Sequence, residues 1–412
     1  MSSVDQLIQK HAPSGVPHVA LAELARTIPG LTGKTKADFS DGNARYVSYK
    51  NAFANPVVDQ DAADFVKVGS DERQNELRLG DVIITGSSEN FEDVGMSSVV
   101  VQEPSESLYL NSFCFAVRFN DPNLFLPEFS KHLFRGHYMR SQIRRTASGV
   151  TRINISKPRF MRTVSPVPPL ELQREIVGIL DTFTELEAEL EAELEARRIQ
   201  FVQYRQQLLP SNEVEGVTSS TLGGVSLSVT SGGTPPTGNA EYYGGDIPWL
   251  RTQEVDFGVI RSTSATITEA GLRNSSAKWI PRDCVIVAMY GATAAKVAVN
   301  DIPLTTNQAC CNLQIDPSVA NFRYVFHWVS NEYERLRSLG EGSQSNINAQ
   351  KVKDFPILLP SLSRQAEIVE TLEKFDALVN DLSIGLPAEL AARRKQYEYY
   401  RDKLLTFEEA PA

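Results

Sequence analysis

RRIQFVQYRQQLL at residues 197–209 returns as RRKQYEYYRDKLL at residues 393–405, at an offset of 196 residues. Upstream of each copy, PPLELQREIV at residues 168–177 has a looser echo in PSLSRQAEIV at residues 360–369. A repeat of nearly half the chain is too long for a solenoid, whose period is roughly 20–50 residues. The sequence therefore predicts two copies of one large unit, each a globular domain followed by a long helix.

The composition is that of a two-domain globular protein, with 412 residues of which 42% are hydrophobic. No apolar run approaches the ~18 residues of a membrane span, and residues 1–10 lack the apolar stretch of a signal peptide. The cysteines at positions 114, 284, 310 and 311 form no CxxC and no spaced framework. We therefore expect free thiols in a reducing cytoplasm.

Charge is distributed unevenly along the chain, whose formal net charge is −10. Residues 171–195 carry nine acids and one base, whereas residues 131–162 carry nine bases and no acid. A basic stretch of this density is the electrostatic footprint expected of phosphate binding. It also fits a solvated basic helix face, and the sequence alone leaves both interpretations open.

Two segments show apolar residues in steps of three and four, the spacing of coiled-coil helices. In the first, residues 170–209, the seam includes Leu180, Phe183, Leu190, Leu194, Phe201 and Tyr204. In the second, the seam includes Leu372, Phe375, Val379, Tyr397 and Tyr400. Gly385 and Pro387 should break this second helix near its middle, because proline removes a backbone donor and clashes with the preceding turn.

The two helices would most simply pair with each other, and they would pair antiparallel if a two-fold axis relates the units. About 39 residues at ~1.5 Å per residue would give a rod of roughly 58 Å that holds the globular domains apart. Two other arrangements remain open: each helix packs on its own domain, or the seam drives homodimerisation.

The sequence pattern of each globular half predicts a mixed α/β domain in which short strands are followed by helices. Asp81-Val82-Ile83-Ile84-Thr85-Gly86 aligns with Asp283-Cys284-Val285-Ile286-Val287-Ala288 as a buried strand. Helical patterns follow around residues 126–145 and 321–339. The segments between the matched strands differ strongly, and equal scaffolds with unequal loops suggest two related sites that recognise different things.

Seven short motifs follow one another in the second half: LGGV at 222–225, SGGTP at 231–235, IPWLRT at 247–252, MYGA at 289–292, TTNQA at 305–309, SQSNI at 343–347 and LPSL at 359–362. In this order they resemble the specificity subunit of type I restriction–modification systems. Each motif is weak alone, but their order before a coiled-coil segment is specific. The first half departs from the pattern, since it lacks the GGTP and WLRT elements, although its helix and its Pro-Leu-x-x-Gln junction fit.

The resemblance implies two target-recognition domains that each read one half of a bipartite, asymmetric double-stranded DNA sequence. It implies that the helices bearing the seam residues fix the spacer and dock two methyltransferase subunits, to which restriction/translocase subunits are added. The implied organisation is an N-terminal segment (1–14), a first domain (15–168), a central helix (169–210), a linker (211–218), a second domain (219–360), a C-terminal helix (361–407) and a tail (408–412).

No catalytic arrangement is recognisable in the chain. It lacks a GxxxxGK[ST] loop, an Asn/Asp-Pro-Pro-aromatic tetrapeptide, an HExxH motif and a Ser/His/Asp arrangement. The five histidines show no metal-ligand spacing, and Asp59, Asp61 and Asp64 are typical of a solvated loop. We expect a non-catalytic subunit without metal or cofactor of its own, with S-adenosylmethionine, ATP and Mg²⁺ on partner subunits as the resemblance implies.

Base reading requires side chains that reach base edges, whereas phosphate contacts set register and carry salt-dependent affinity. In the first domain the predicted DNA contacts are Arg140, Arg144, Arg145, Ser148, Thr151, Arg152 and Lys157. In the second they are Thr234, Arg251, Thr252, Gln253, Tyr290, Asn307, Gln308, Gln344, Ser345 and Asn346. Each of these residues could instead be a structural turn or cap.

Two other classes of function remain open on the sequence. One is a non-catalytic coiled-coil adaptor or tandem binding protein that reads no DNA. The other is an enzyme whose motif is not recognisable here, which would require turnover by the isolated chain. The basic stretch at residues 131–162 offers a test that distinguishes the DNA-binding hypothesis from the adaptor hypothesis. Charge reversal at Arg144 and Arg145 should weaken DNA binding and leave partner binding unchanged.

Overall fold

The computed structural model describes residues 3–211, 215–341, 346–381 and 384–411. The chain forms two compact units, Met1–Glu191 with Glu389–Ala412, and Ala192–Ala388. Each unit is a mixed α/β domain joined to helical segments, which confirms the predicted fold class and the internal repeat.

The first unit contains twelve strands among its described residues. Its helices before residue 191 are α1 (Ser3–His11), α2 (Leu21–Leu24), α3 (Tyr49–Ala54), α4 (Pro127–Leu133), α5 (His137–Arg145), α6 (Lys157–Phe160) and the start of α7 (Leu170–Leu208). Its strands are β1 (His18–Ala20), β2 (Ala25–Pro29), β3 (Ala44–Val47), β4 (Phe65–Val66), β5 (Val82–Thr85), β6 (Ser87–Ser88), β7 (Ser97–Val99), β8 (Leu108–Leu110), β9 (Cys114–Phe119), β10 (Ala147–Ser148), β11 (Ile153–Ile155) and β12 (Val164–Pro166).

An antiparallel sheet in the order β2-β9-β5-β7 forms the centre of this unit. A smaller sheet, β4-β3-β8, contains the parallel pair β3/β8, and a third sheet, β10-β11-β6, forms one rim. All four residues of β5 are buried, as expected of a continuous apolar run in a central strand. Phe115, Phe129, Phe134 and Phe160 fill the core between the central sheet and the helices.

The second unit repeats this plan. Its strands are β13 (Thr218–Thr221), β14 (Ser226–Ser231), β15 (Tyr243–Leu250), β16 (Val259–Ile260), β17 (Thr266–Ile267), β18 (Trp279–Ile280), β19 (Val285–Ala288), β20 (Val297–Asn300), β21 (Leu304–Thr306), β22 (Cys310–Ile315) and β23 (Pro356–Leu359). Its helices are α8 (Glu269–Arg273), α9 (Phe322–Asn331), α10 (Tyr333–Ser338), α11 (Ala349–Lys353) and α12 (Leu362–Asn380), and α13 (Leu386–Leu404) begins in it and continues into the first unit.

The central sheet and the sheet with the parallel pair match those of the first unit in strand order and direction, and each has one additional edge strand in the second unit. The central sheet runs β14-β22-β19-β20-β16, and a second sheet runs β17-β15-β21-β18 with β15/β21 parallel. The pairing also corrects the sequence alignment of the central strands by one residue. Asn111 and Asn307 stand at the same place before the next central strand, so Val117 corresponds to Leu313. Val82 pairs with Val117 and Val285 pairs with Leu313, so Val82 matches Val285 rather than Cys284. The apolar run alone does not fix this register, because several buried residues in succession look alike.

In the first unit, the beginning of α7 pairs antiparallel with α13. Phe183 stacks on Tyr400 with ring centroids 5.5 Å apart, and four residues further along α7 the Nε of Arg394 donates to Glu187 at 2.6 Å. The same guanidinium also binds Glu191. Partner numbers fall as α7 advances, which is the antiparallel arrangement expected from the sequence.

In the second unit, the end of α7 pairs with α12 instead. Tyr204 lies against Phe375 with ring centroids 5.0 Å apart, and Phe201 and Val379 are buried in the same core. The helical pattern is interrupted between Asn380, where α12 ends, and Leu386, where α13 begins. This confirms the break predicted at Gly385 and Pro387, and it means that α7 pairs with two shorter helices in turn.

A buried histidine joins the globular part of each unit to its helix. His132 on α4 contacts Asp181 on α7 through Nε2 at 2.7 Å, and its Nδ1 lies 3.0 Å from the Tyr397 hydroxyl. His327 on α9 contacts Glu373 on α12 at 3.1 Å. Burial lowers the pKa of both imidazoles, although the neighbouring carboxylates act in the opposite direction. The two histidines therefore hold the helices in place as neutral hydrogen-bonding groups.

Candidate nucleic-acid interface

Several loops meet at one end of the central sheet in the first unit. They are the turn after β5, the Asn111–Phe113 turn between β8 and β9, the start of α3, and the β10–β11 hairpin. The β5 and β9 ends are adjacent because Thr85 pairs with Cys114, and the Gly86 amide donates to the Phe113 carbonyl at 2.8 Å. We call this surface the first loop face.

The β10–β11 hairpin presents the most exposed part of the first loop face. Gly149 has a φ of +139°, and a Cβ there would lie 2.0 Å from the Arg152 carbonyl oxygen, so only glycine fits this turn. The turn exposes Ser148, Thr151 and Arg152 and leaves Val150 at 97% exposure. These residues therefore form a projecting tip.

Arg152 is held in place at the base of this tip. Its Nη2 donates to the Ser87 hydroxyl at 3.1 Å, and its guanidinium carbon lies 5.0 Å from the centre of the Phe113 ring. The Tyr49 hydroxyl donates to the Ser87 carbonyl at 2.8 Å and braces the same turn. A cation–π contact of this exposed kind contributes about 0.5–1 kcal/mol, enough to orient an otherwise flexible side chain.

A pocket of about 650 Å³ lies beside Arg152. Its lining combines aromatic rings, hydroxyls and carboxylates: Tyr49, Phe53, Ser87, Ser88, Glu89, Asn90, Asp93, Phe113, Thr151 and Arg152. A guanidinium supplies the paired donors that suit guanine, and a carboxylate accepts from the amino group of cytosine. Sequence reasoning identified Thr151 and Arg152 and missed the others, although Phe113, an aromatic side chain that is 54% exposed, sits in a recognisable turn.

The basic stretch at residues 131–162 divides into buried and exposed members. Arg140 is 6% exposed and donates to the carbonyls of Val94 and Glu92 at 2.8 and 2.7 Å. Burial lowers the pKa of Arg140 to about 10. Arg135 donates to the carbonyls of Ser97 and Phe53, and Lys131 pairs with Asp181 at 2.7 Å. These cations hold the fold together, which corrects the expectation that Arg140 lies near a DNA backbone.

The remaining cations of the stretch face outward. Arg145, Arg152 and Lys157 are exposed, and Arg144 is partly exposed and bound to Glu92 at 2.9 Å. The Nζ of Lys157 also lies 5.2 Å from the centre of the Phe115 ring. The outward cations retain the charge needed for phosphate contact.

The second unit has an equivalent surface, the second loop face. The Met289 amide donates to the Ala309 carbonyl at 2.8 Å, which matches the Gly86–Phe113 bond of the first unit. On this register Tyr290 stands where Ser87 stands, and Ala309 stands where Phe113 stands. The two faces therefore share one backbone frame and carry different side chains.

Of the residues predicted in the second domain, Gln253, Gln308 and Tyr290 are exposed on or beside this face. Arg251 is exposed, and its Nη2 donates to the Ser264 hydroxyl at 3.1 Å. The Thr234 hydroxyl binds the Gln308 side chain. Together these side chains offer hydroxyl, amide and guanidinium groups for hydrogen bonding.

Other predicted residues serve the fold. Thr252 is 7% exposed, so it is not available at the surface. The Oδ1 of Asn307 accepts from the Ala309 amide at 3.1 Å, and that of Asn346 accepts from the Gly291 amide at 3.1 Å. Gln344 and Ser345 lie outside the described residues.

Most of the seam residues expected on docking helices are inside their own unit. Leu180, Leu194, Phe201, Leu372 and Val379 are 7% exposed or less. Phe183, Phe375, Tyr397 and Tyr400 are partly buried in ring contacts, with Leu190 also partly buried and Tyr204 37% exposed. The buried members hold the helices to each unit and are not free to contact a partner, which corrects the expectation that the seam itself is the docking surface.

The residues that the structure describes contain no cluster of three or more potential metal ligands. The four cysteines are buried and free, and burial raises the pKa of each thiol to about 12. Such thiols are poor nucleophiles at neutral pH. Among the described residues, no helix has the length and apolar character needed to span a bilayer.

Comparison with known proteins gives matches along nearly the whole chain. The profile of the type I restriction modification DNA specificity domain matches residues 13–196 and again residues 214–392. Over 250 residues the chain is 37% identical to the Escherichia coli type I restriction enzyme EcoR124I/EcoR124II specificity subunit. That alignment covers 59% of this chain and 61% of the subunit, so the chain spans about three-fifths of that relative's length.

Solved structures show the same fold at low sequence identity. A chain from a study of complex assembly and conformational transition of the type I R-M system has a TM-score of 0.70 at 16% identity, over 95% of this chain and 98% of that one. The HsdS subunit from Thermoanaerobacter tengcongensis has a TM-score of 0.52 at 18% identity, over 96% and 97% of the two chains.

Proposed function

We propose that this chain, which belongs to the family of type I restriction–modification DNA specificity domains, reads a bipartite, asymmetric double-stranded DNA target. In this role it directs adenine methylation and ATP-dependent restriction that partner subunits carry out. The chain itself is non-catalytic and carries no cofactor; S-adenosylmethionine, ATP and Mg²⁺ belong to the partners.

The observation that carries this proposal is the pair of loop faces on one repeated scaffold. Ser87 and Phe113 of the first face are replaced by Tyr290 and Ala309 in the second. A protein that recognises two identical half-sites would need two identical loop faces. A protein that recognises two different half-sites needs different side chains on a shared backbone scaffold. The unlike faces therefore support an asymmetric target.

The proposed DNA contacts are the exposed members of the predicted set. In the first unit Arg145, Arg152 and Lys157 contact phosphates or guanine, Arg144 assists, and Ser148 and Thr151 approach the groove. In the second unit the contacts come from Thr234, Arg251, Gln253, Tyr290 and Gln308. Arginine suits guanine or phosphate, and glutamine suits adenine. Arg140 and Thr252 are left out because both are buried.

Exposed apolar side chains on the helices support docking of two methyltransferase subunits. In the first unit these are Ile179 and Leu186 on α7 and Tyr399 on α13, which are between 36% and 61% exposed. In the second they are Ile199 and Val202 on α7 and Leu378 on α12, between 38% and 54% exposed. Apolar groups in water on two separate helix pairs fit two copies of one partner. Restriction/translocase subunits join this assembly.

We propose target-recognition domains at residues 15–168 and 219–360, with a spacer helix at 169–210, a linker at 211–218 and a C-terminal helix at 361–407. A cytoplasmic location is part of the proposal, since buried free thiols suit a reducing compartment.

The test is single-molecule methylome sequencing of a host strain with and without the gene. The expected result is loss of adenine methylation at one bipartite motif with a fixed gap, restored by the intact gene. Complementation with Arg152→Ala should relax or abolish one half of that motif, whereas Lys374→Ala, a surface change on α12, should restore it fully. Unchanged methylation at every motif in a strain with an active methyltransferase partner contradicts the proposal.

A further inference from the structure

A cationic segment of the second unit lies beside the second loop face. Residues 270–282 carry three bases and no acid. They include the end of α8, the following turn and β18, an edge strand that the described residues of the first unit lack in the corresponding sheet. We call residues 273–279 the β18 segment. The segment is an addition to the scaffold that the two units share.

Close backbone contacts place the β18 segment next to the loop face. A Cβ on Gly233 would lie 2.4 Å from the Ala277 amide nitrogen, and a Cβ on Gly232 would lie 1.9 Å from the Thr306 carbonyl oxygen. The two glycines therefore fit between the segment and the end of β21, where no side chain has room. The next residue, Thr234, is one of the proposed DNA contacts.

The turn that leads into β18 is anchored in the core of the unit. Ala277 is 6% exposed and belongs to a buried cluster with Ile247 and Trp249. Its amide donates to the Ser275 hydroxyl at 3.2 Å. Its two neighbours in the chain are exposed, because successive side chains of an extended segment point in opposite directions. The segment thus holds polar side chains outward from a fixed backbone.

Two cations of the β18 segment are available for binding. Arg273 and Lys278 are exposed, and neither forms an ion pair with a carboxylate among the residues that the structure describes. Arg282 differs, since it lies beyond the other end of β18 and its Nη2 is 2.5 Å from Asp301. The segment therefore offers two positive charges, with the exposed Ser276 hydroxyl between them, and binding an anion there breaks no existing ion pair.

The first unit carries an outward cation at a different place. Lys157 begins α6, and α11 is the matching helix of the second unit. The carbonyls of Met161 and Lys353, near the ends of these helices, each accept a backbone bond at 2.8 Å from matched positions at the start of their domains. On this register Ala349 stands where Lys157 stands. The second unit thus lacks this cation and has those of the β18 segment instead.

We propose that Arg273, Ser276 and Lys278 bind phosphates of the DNA backbone at the second half-site, through a contact that the first unit makes with other elements. The proposal rests on the proposed function for the identity of the ligand. Where the base edges of a groove meet a protein surface, the phosphates that border the groove pass along the rim of that surface, which is where the segment lies. Phosphate contacts add affinity without reading bases.

The experiment uses the full chain in complex with its methyltransferase partner and a duplex that carries the methylated motif. Arg273→Glu with Lys278→Glu should weaken binding at least about tenfold at ~0.1 M salt and lower the slope of log affinity against log salt by about two units. The bases of the motif should stay the same, because the lost contacts carry no sequence information.

The matched control is Arg282→Glu with Lys374→Glu, which makes the same charge change at exposed, ion-paired positions of the second unit. This control should keep the slope of the wild-type complex. Thermal unfolding of both double variants should give midpoints close to that of the wild type, because all four side chains are at the surface.

Trp279 gives an independent readout without any change of charge. It is 48% exposed and follows Lys278 directly. Its fluorescence is obtained as the difference between wild-type and Trp279→Phe complexes, and duplex DNA should reduce the quenching of this signal by acrylamide. Unchanged affinity and salt slope in Arg273→Glu with Lys278→Glu, together with unchanged quenching, would overturn the inference and leave the proposed function intact. A wild-type complex without preference for any DNA motif would overturn both.

Discussion

Asn111 and Asn307 make the same three hydrogen bonds in the two units. Each backbone amide donates to the end of a neighbouring strand, at Val47 and at Leu250 respectively, at 3.0 and 2.9 Å. Each side-chain Oδ1 accepts from the amide two residues on, at 2.8 and 3.1 Å, and each carbonyl accepts from the amide three residues on. The two asparagines fix the turn that leads into the central strand of each loop face.

The first prediction distinguishes the structural role of Asn307 from the DNA-binding role proposed for its exposed neighbour Gln308. Asn307→Ala should lower the free energy of unfolding by about 1–2 kcal/mol, because the Ala309 amide loses its acceptor. Gln308→Ala should leave thermal stability within about 0.5 kcal/mol and change DNA binding at the second half-site only. Denaturant unfolding and binding to half-site variants measure the two effects. An equal decrease in stability in both variants would contradict the assignment.

The second prediction concerns two glycines with opposite environments. A Cβ at Gly30 would lie 2.2 Å from the Asn111 carbonyl oxygen, so Gly30→Ala should destabilise by about 1–3 kcal/mol. Gly178 lies within α7 with open space around it, so Gly178→Ala should stabilise by about 0.5–1 kcal/mol through helix propensity. Thermal unfolding of the two variants should give shifts of opposite sign. A stabilised Gly30→Ala variant would show that the backbone at Asn111 can move away to accommodate the added methyl group.

The third prediction is a decrease in stability as the pH falls below about 6.5. The pKa values of His132 and His327 are lowered by burial, so the unfolded chain takes up protons near its ordinary imidazole pKa while the folded chain does not. Stability should be full well above pH 6.5 and decrease progressively as the pH falls below it, towards the lowered pKa values of the folded histidines. Each kcal/mol of decrease corresponds to about 2–4 °C in the unfolding midpoint for units of this size.

The control for this pH dependence is the double variant His132→Gln and His327→Gln, measured by thermal scans at pH 7.5 and 5.5. It should be less stable at pH 7.5 and show a smaller difference between the two pH values. Glu373, whose pKa is lowered to about 2 despite its burial by hydrogen bonds from His327 and Arg323, affects stability only at more acidic pH. A wild-type chain that is equally stable at both pH values would contradict the neutral state of the buried histidines.

The fourth prediction tests the exposed cations of the first unit. Arg145→Glu with Lys157→Glu should weaken DNA binding and flatten its salt dependence by about one unit of slope for each phosphate that the protein no longer neutralises. Arg282→Glu with Lys374→Glu, two exposed changes in the second unit beside Asp301 and Glu370, serves as the matched charge control. Affinity measured across a salt series should separate the two variants. An unchanged slope in the double variant would show that these residues do not bind phosphates.

The fifth prediction concerns α7 as a spacer. Insertion of one heptad between Glu191 and Ala192 leaves the Arg394 contacts of the first unit and the Tyr204–Phe375 contact of the second unit within their own helix pairs. The spacer of the methylated motif should lengthen while both half-sites stay the same. Methylome sequencing of a strain carrying the insertion gives the new motif. Altered half-sites, with the spacer unchanged, would contradict the spacer role.

Periodic and repeated features of the sequence determined the large-scale plan of this protein. The repeat around residues 197–209 and 393–405 predicted two units and made antiparallel pairing of the helices the simplest arrangement, and the three-four spacing predicted α7. The helix break followed from Gly385 and Pro387. The helix and its break could be predicted because helical periodicity and proline geometry act over a few neighbouring residues. The two units could be predicted because the repeat is visible when the sequence is compared with itself.

Only the tertiary structure decided which cations of the basic stretch are available. Arg140 and Arg152 belong to one stretch and one residue type, yet Arg140 is buried against backbone carbonyls of residues 92–94 and Arg152 projects from a hairpin. The same holds for the seam, where Leu180 and Leu194 are buried and Leu186 is 43% exposed. The role of each side chain depends on which distant backbone segment meets it in the fold, and local sequence does not encode that meeting.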